Sequence, residues 1–478
     1  MKKKTILVFL LSLLTGCSVG PVYEPPETEV PCEWQNEMPE SFETSSTETL
    51  VWWQRLQDDV LNELIETAAE QNLDLRIAAI RVLQARAEAN GKKGDLYPRV
   101  DGSLNYGHVR YSKDALVAGL LGSELPIGSH RHNRHRNFNF YEVGFDVEWE
   151  IDLFGMKAHE IAALIAHEQG VQHELCGMWV TLSAEIAKNY IELRGLQQRK
   201  KILEEMIETQ EKTVLLTQEL LSRGMVNDVE SNQTLSIVSD LKAQKPVLEL
   251  GIARAIHRIS ILVGYFPGAF YECLSEPMPL PFLPQEQPIG MPSELLRRRP
   301  DIQKAERELA ASTERIGSAI AALFPRFSLR GFLGDISSNI GTLFNPSSVT
   351  WFAGPQLLVP IFNSRLILQE VEYNKLVTQG ALYNYQKTVL EALEETENAI
   401  ASYRYQEVRL KFLGESVDLH KQTFNFAEQL YLKGVNDSLT VTATQKAWLT
   451  AQDVLFQAQV DQLLNYVSLY KALGGSWE

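Results

Sequence analysis

Glu142-Val143-Gly144-Phe145-Asp146-Val147-Glu148-Trp149-Glu150-Ile151 alternates between two kinds of residue. Val143, Phe145, Val147, Trp149 and Ile151 are apolar; between them stand Glu142, Gly144, Asp146, Glu148 and Glu150. Side chains of a strand point alternately to its two faces, so this stretch reads as a strand with one apolar and one acidic face. A soluble sheet can carry that pattern. An acidic face opposite an apolar face ending in Trp better suits a barrel wall, with lipid outside and water inside. The partner strand is expected at about residues 100–111, which makes a first hairpin of about 100–151. A second is expected at about 327–362, from strands at 327–334 and 349–362. Four strands cannot close a barrel around a lumen, so a membrane reading requires several chains to share one barrel.

Working outward, the hairpins belong to a duplication. Asn72-Leu73-Asp74-Leu75, Ala78 and Tyr97-Pro98-Arg99 return as Arg299-Pro300-Asp301-Ile302, Ala305 and Phe324-Pro325-Arg326. Each half then has a Phe-containing turn (Phe154, Phe362) and a long helical stretch. Arg223-Gly224 corresponds to Lys433-Gly434, and Val263-Gly264 to Leu473-Gly474, at a constant offset. Residues 157–223 lack proline and keep helical composition, a rod of roughly 100 Å at 1.5 Å per residue; residues 365–433 match them. A heptad seam runs through Leu193, Leu196, Leu203, Ile207, Val214 and Leu221, and through Tyr403, Leu410, Leu413, Val417, Phe424 and Tyr431. Lys200, Gln210, Gln406 and His420 interrupt it. Each rod stops at a glycine, Gly224 or Gly434, and a second helix returns to about residue 264 or 473.

The expected organisation is a signal peptide at 1–16, an extended segment at 17–56, a first repeat at 57–264 with its helical hairpin at 157–264, a linker at 265–291, and a second repeat at 292–474 with its helical hairpin at 365–473. The linker holds Pro277, Pro279, Pro281, Pro284 and Pro288, a spacing that favours an extended strap.

The N-terminus adds a location. Lys2, Lys3 and Lys4 precede an apolar run from Ile6 to Leu14, too short for a transmembrane helix and laid out as a secretory signal. It ends in Leu14-Thr15-Gly16-Cys17, similar to the box cut by lipoprotein signal peptidase, which makes Cys17 the expected acylated first residue. Loss of residues 1–16 takes the formal charge from −16 to −19, against nucleic acid as a partner. Cys32, Cys176 and Cys273 match no metal spacing, and a disulfide among them is allowed but not required.

At this point the residues resemble a known family, the TolC-like outer-membrane efflux factors, in the NodT-type lipoprotein branch serving resistance-nodulation-division (RND) pumps. The resemblance is carried by Cys17-Ser18-Val19-Gly20-Pro21-Val22-Tyr23-Glu24-Pro25, Trp52-Trp53, Leu61, Leu64-Ile65, Asn72-Leu73-Asp74-Leu75, Asp152-Leu153-Phe154-Gly155, Arg299-Pro300-Asp301-Ile302 with Ala305-Glu306, Phe324-Pro325 and Pro360-Ile361-Phe362. It spans essentially the whole mature chain. It implies an α+β membrane protein: a homotrimer with four strands per chain in one 12-stranded β-barrel, continued by a long α-helical periplasmic barrel. The implied role is the exit duct of a tripartite pump, with a periplasmic adaptor and an inner-membrane RND transporter as partners, set in outer-membrane lipid. The alternative is a TolC-like duct for type I protein secretion; a structural envelope tether is a third reading. Two departures exist. A glycine pair usual after Pro-Ile-Phe reads Asn363-Ser364, and a usual Asp-Ala-Gln reads Ala443-Thr444-Gln445, which puts transfer of family gate contacts in doubt.

No catalytic constellation is visible: there is no Walker loop, no HExxH and no Gly-x-Ser-x-Gly elbow. No cofactor or metal is expected. His130-Arg131-His132-Asn133-Arg134-His135-Arg136 has ligand chemistry, but a basic loop at the barrel mouth explains it as well. The candidate functional positions are the tips, Arg223, Gly224, Met225, Val226, Lys433, Gly434, Val435 and Asn436, as adaptor-docking turns. Asp228 and Asp437 behind them are expected as periplasmic gate residues, or as electrostatic caps of the returning helices. Arg223 and Lys433 are expected to offset their repulsion.

Overall fold

The computed structural model describes residues 18–27, 30–31, 33–36, 42–43, 51–110, 137–284, 287–362, 364–435 and 437–475. Cys17, Cys32, the loop at 130–136, Asn363 and Asn436 lie outside the described residues. The chain divides into two compact units, one of residues 1–25, 85–168 and 309–381, the other of residues 26–84, 169–308 and 382–478.

The first unit holds a four-stranded antiparallel sheet in chain order: β1 (Arg99–Arg110), β2 (Asn137–Ile151), β3 (Arg326–Ser337) and β4 (Val349–Leu358). Leu104 faces Val143 in the β1–β2 ladder, Phe145 faces Leu333 in β2–β3, and Leu333 faces Trp351 in β3–β4. The second hairpin ends at Leu358 rather than near residue 362. Pro360 has no N–H to extend the ladder.

Among the described residues, besides two single-turn helices (Tyr271–Leu274 and Leu295–Arg298), seven longer ones carry the rest of the fold: α1 (Asp59–Gln71), α2 (Leu73–Lys93), α3 (Met156–Ser222), α4 (Asp228–Val263), α5 (Pro300–Ala321), α6 (Ser364–Leu432) and α7 (Ser438–Ala472). The rods α3 and α6 run 67 and 69 residues. No described helix is long and apolar enough to cross a membrane.

In the second unit, Trp52, Leu56, Leu61, Ile65, Tyr190, Ile191, Ile256, Ile259, Tyr466 and Tyr470 form the main core. The segment expected to stay extended up to residue 56 ends instead in a 3₁₀ turn, Trp52–Leu56. The turn folds because it can bury its Trp pair: Trp52 is 2% exposed and stacks on Tyr470 with ring centroids 5.8 Å apart. The strap packs on the same core. Buried Arg194 donates to the Glu276 carbonyl at 2.8 Å, and Gln197 to that of Leu274 at 2.6 Å. The seam is partly as expected: Leu193, Leu203, Val214, Tyr403 and Val417 are buried, while Leu196, Ile207, Leu221, Leu410, Leu413 and Phe424 are half-buried. Tyr431, in the last turn before Gly434, is exposed. The polar interruption at Gln406 is satisfied by the Ala458 carbonyl at 2.7 Å.

The duplication is visible atom by atom. Asn72 Nδ2 donates to the Leu262 carbonyl at 2.7 Å; Arg299 Nη1 donates to the Ala472 carbonyl, also at 2.7 Å. Gly264 (φ +98°) backs onto Gln71 so closely that a Cβ would collide with backbone, and Gly474 (φ +97°) backs onto Arg298 and Arg299, where a Cβ would be tight at 3.1 Å. The same junction is built twice.

Candidate channel wall and tip turns

Register assigns every strand residue to a face, since directly paired residues share one. One face carries Val100, Leu104, Tyr106, Tyr141, Val143, Phe145, Val147, Trp149, Ile151, Phe327, Leu329, Leu333, Val349, Trp351 and Leu357. It is open in the single chain: Leu104 is 80% exposed, Trp351 72% and Phe145 59%. Apolar area of that extent needs a cover of lipid. Tyr106 and Tyr141 pair at 5.0 Å towards the loop end, and Trp149 donates to the Leu96 carbonyl at 2.9 Å at the helix end. From Tyr141 to Trp149 the strand rises about 27 Å, or about 20 Å of height at the usual tilt, near the ~25 Å band between aromatic girdles.

The opposite face carries most of the charges, with Asp335 and Arg110, at the loop end, on the apolar one. Asp101, Glu142, Asp146, Glu148 and Glu150 stand against Arg99, Arg326 and Arg330, a formal −2 per chain. Arg330 Nη2 donates to Glu148 at 2.9 Å, Arg99 pairs with Asp101 at 2.7 Å, and Asn105 donates to Glu142 at 2.8 Å. Apolar residues share this face, among them Phe138, Phe140, Phe332 and Phe352; Phe332 covers Gly144 and Gly334, where any Cβ would meet its ring, and stacks on Phe352 at 6.4 Å. β1 and β4 are the two edges of the sheet.

The tips belong to the second unit, and each is closed by the same motif. Gly224 (φ +68°) donates to the Leu221 carbonyl at 2.9 Å and Met225 to that of Leu220 at 3.0 Å. Gly434 (φ +72°) and Val435 repeat this on Tyr431 and Leu430, both at 2.9 Å. Both glycines take the left-handed conformation that ends a helix without Cβ strain. Met225 and Val435 are each 69% exposed.

The two acids take different places at the starts of the returning helices. Asp228 and Asp437 are not counterparts: Asn227 caps α4 by accepting from Glu230 N at 3.0 Å, and Asp437 caps α7 by accepting from Thr440 N at 2.9 Å. Asp228 is the first helical residue, and the position matching it is Ser438. The hydrogen bonds from Thr440, hydroxyl and amide, hold the Asp437 carboxyl below the usual carboxylate range. Arg223 does not turn to the acids behind the tip. It pairs with Glu219 one turn back on its own helix, an arrangement favoured by i,i+4 spacing.

Sequence reasoning did not find the polar ties between α3 and α7. Arg199 grips Asp453 through Nε at 2.8 Å and Nη2 at 3.2 Å; Thr213 meets Thr442 at 3.2 Å and Gln445 donates to Thr209 at 3.1 Å. These pairs lie more than 200 residues apart in sequence, and no local pattern marks them. Cys176 and Cys273 are free thiols, and burial raises the Cys176 pKa. Among the described residues no three His, Cys, Asp or Glu side chains are placed to hold a metal ion.

A sheet with one lipid face and one charged face, fed by paired helical rods, is the wall of an outer-membrane channel. The chain belongs to the outer membrane efflux protein family, whose model matches residues 64–264 and 291–475; it is a channel protein and not an enzyme. The solvent efflux pump outer membrane protein SrpC of Pseudomonas putida is 29% identical, with 100% of this chain and 99% of SrpC covered. The pyoverdine export outer membrane protein OpmQ of Pseudomonas aeruginosa is 26% identical, covering 100% and 97%. Among solved structures, the outer-membrane channel OprN superposes with a TM-score of 0.85 at 32% identity, covering 96% of this chain and 100% of OprN. The Campylobacter jejuni CmeC channel gives 0.84 at 23% identity, a likeness of fold, covering 97% and 96%.

Proposed function

We propose that three copies of this chain close a 12-stranded barrel and form the exit duct of a tripartite RND-type pump, passing drugs or other small solutes outward. The observation that carries this reading is the four-stranded sheet, lipid-facing on one side, charged on the other, with an edge at each end. In hydrocarbon an open edge leaves N–H and C=O groups without partners, at several kcal/mol each. β4 of one copy pairing with β1 of the next removes both edges, and a ring of three closes at 12 strands. Each repeat, 57–264 and 292–474, then contributes one β-hairpin and one helical hairpin. Exposed apolar stripes, Leu73, Ile77 and Ile80 on α2 and Tyr373, Leu376 and Tyr383 on α6, supply further surface for neighbouring copies.

The tips at 223–226 and 433–436 are the adaptor-docking turns in this reading. Asp228 and Asp437 lie at the mouth, where their charge gates the duct in addition to the capping and first-turn roles described above. Cys17 is the acylated mature N-terminus. Small solutes are favoured as cargo because relatives are named for solvent efflux and pyoverdine export. Light scattering of the detergent-solubilised protein tests the assembly: a trimer is expected, and a well-folded monomer overturns it. Mass spectrometry of the N-terminus tests acylation, which an unmodified residue 17 rules out. Planar-bilayer recording distinguishes a duct from a tether.

A further inference from the structure

Residues 18–20 sit in a built cradle within the first unit. Val19 N–H donates to the Phe154 carbonyl at 3.2 Å. His159, its side chain 11% exposed, faces this segment with Nε2, which lies 2.9 Å from Ser18 Oγ and 3.2 Å from the Val19 carbonyl. Its other nitrogen, Nδ1, lies 2.6 Å from Glu314 Oε2. A carboxylate can only accept, so Nδ1 carries the proton and Nε2 is turned to the strap. The neutral ring accepts from the Ser18 hydroxyl; the protonated ring donates to that oxygen or to the Val19 carbonyl.

Three glycines make the approach possible. A Cβ on Gly155 (φ +83°) would lie 2.7 Å from Ser18 Oγ, one on Gly20 would lie 2.6 Å from Gly317 Cα, and one on Gly317 would strike the His159 ring at 2.6 Å. Just downstream, Tyr23 packs on Ala166, Ala310 and Ala311. Residues 18–23 are therefore held by α3 and α5 together.

We infer that residues 18–20 are a docked strap latched by the His159–Glu314 pair, held at the turn that follows β2. Phe154 and Gly155 lie three and four residues past Ile151, and Trp149, near the same end, marks the rim of the apolar band. Residues 18–23 are thus an ordered part of the first unit and not a loose leash.

Hydrogen-exchange mass spectrometry of the full-length assembled protein in lipid nanodiscs, read on a peptide covering residues 17–27, tests the latch. The Val19 amide is expected to be protected in the wild type. His159→Ala is expected to speed its exchange by about tenfold or more, as local opening free energy falls, with peptides from β2 and α5 unchanged. Ser18→Ala and Glu314→Gln, milder in case His159→Ala fails to assemble, are expected to give smaller increases. Fast wild-type exchange at Val19, or no change in all three variants, overturns the latch.

Discussion

Arg299 occupies in the second repeat the place that Asn72 occupies in the first, and the exchange alters what the junction can do. Both donate to the end of a returning helix, at Leu262 or Ala472, but Arg299 also brings a charge 8% exposed. Asp301 at 2.7 Å and Glu395 at 2.8 Å answer it. Arg299→Ala should destabilise the fold by about 1–3 kcal/mol, the cost of an unpaired helix-end carbonyl and two carboxylates left together. Both acids are nearly half exposed, which keeps the loss below that of a fully buried pair. Denaturation midpoints of wild type and variant measure it; an unchanged midpoint would mean that water replaces the guanidinium. At the tip, Asp437→Ala removes a helix cap worth about 0.5–2 kcal/mol locally. Hydrogen bonds from Thr440 hold its carboxyl below the usual carboxylate range in the fold, so the cap is complete at neutral pH and is lost as pH falls through the depressed pKa. Exchange at the start of α7 should therefore rise on acidification in the wild type and be pH-insensitive in Asp437→Ala, after correction for the intrinsic rate. Conductance of the same variant reads the gate role.

At the scale of elements, the tip turn and the strand ask opposite things of a side chain. Gly434 has nothing within 4 Å of its Cβ position, so space does not forbid a substitution; its φ of +72° does. Gly434→Val should strain the turn by about 1–3 kcal/mol, leaving trimer formation intact and weakening adaptor coupling, which drug-resistance assays read. Phe145 stands in the apolar face, and Phe145→Arg should cost about 2–4 kcal/mol if it lies near the bilayer midplane. Refolding into vesicles measures that cost; a loss near zero would place the residue at an interface. Much of this was legible in the sequence, because a strand's two faces and a helix stop are local patterns. Alternation from Glu142 to Ile151 gave the wall, and Gly224 and Gly434 gave the turns. Non-local facts were not legible. His159 meets Glu314 across 155 residues, and only folding brings those two together.

For the whole molecule, the charged face decides what a three-chain barrel prefers to pass. At −2 per chain, three chains place −6 around a water-filled lumen with low-dielectric walls, which concentrates cations there. Glu148 and Arg330 make a clean lever, because their side chains are 57% and 50% exposed and bonded mainly to each other. Such exposed pairs contribute roughly 0–1 kcal/mol to stability, so either can be neutralised with the fold kept. Glu148→Gln takes the lumen from −6 to −3, and Arg330→Gln takes it from −6 to −9. Reversal potentials under a salt gradient should therefore move in opposite directions: cation preference falls in the first variant and rises in the second. The double variant returns the formal charge to −6 and should return the potential close to wild type. The effect should shrink as salt rises, since the Debye length falls from about 10 Å at 0.1 M to about 3 Å at 1 M. Shifts of the same sign in both single variants would mean that the pair acts through local shape. No shift in either would take this face out of the conducting path and return the assignment of the two faces to question.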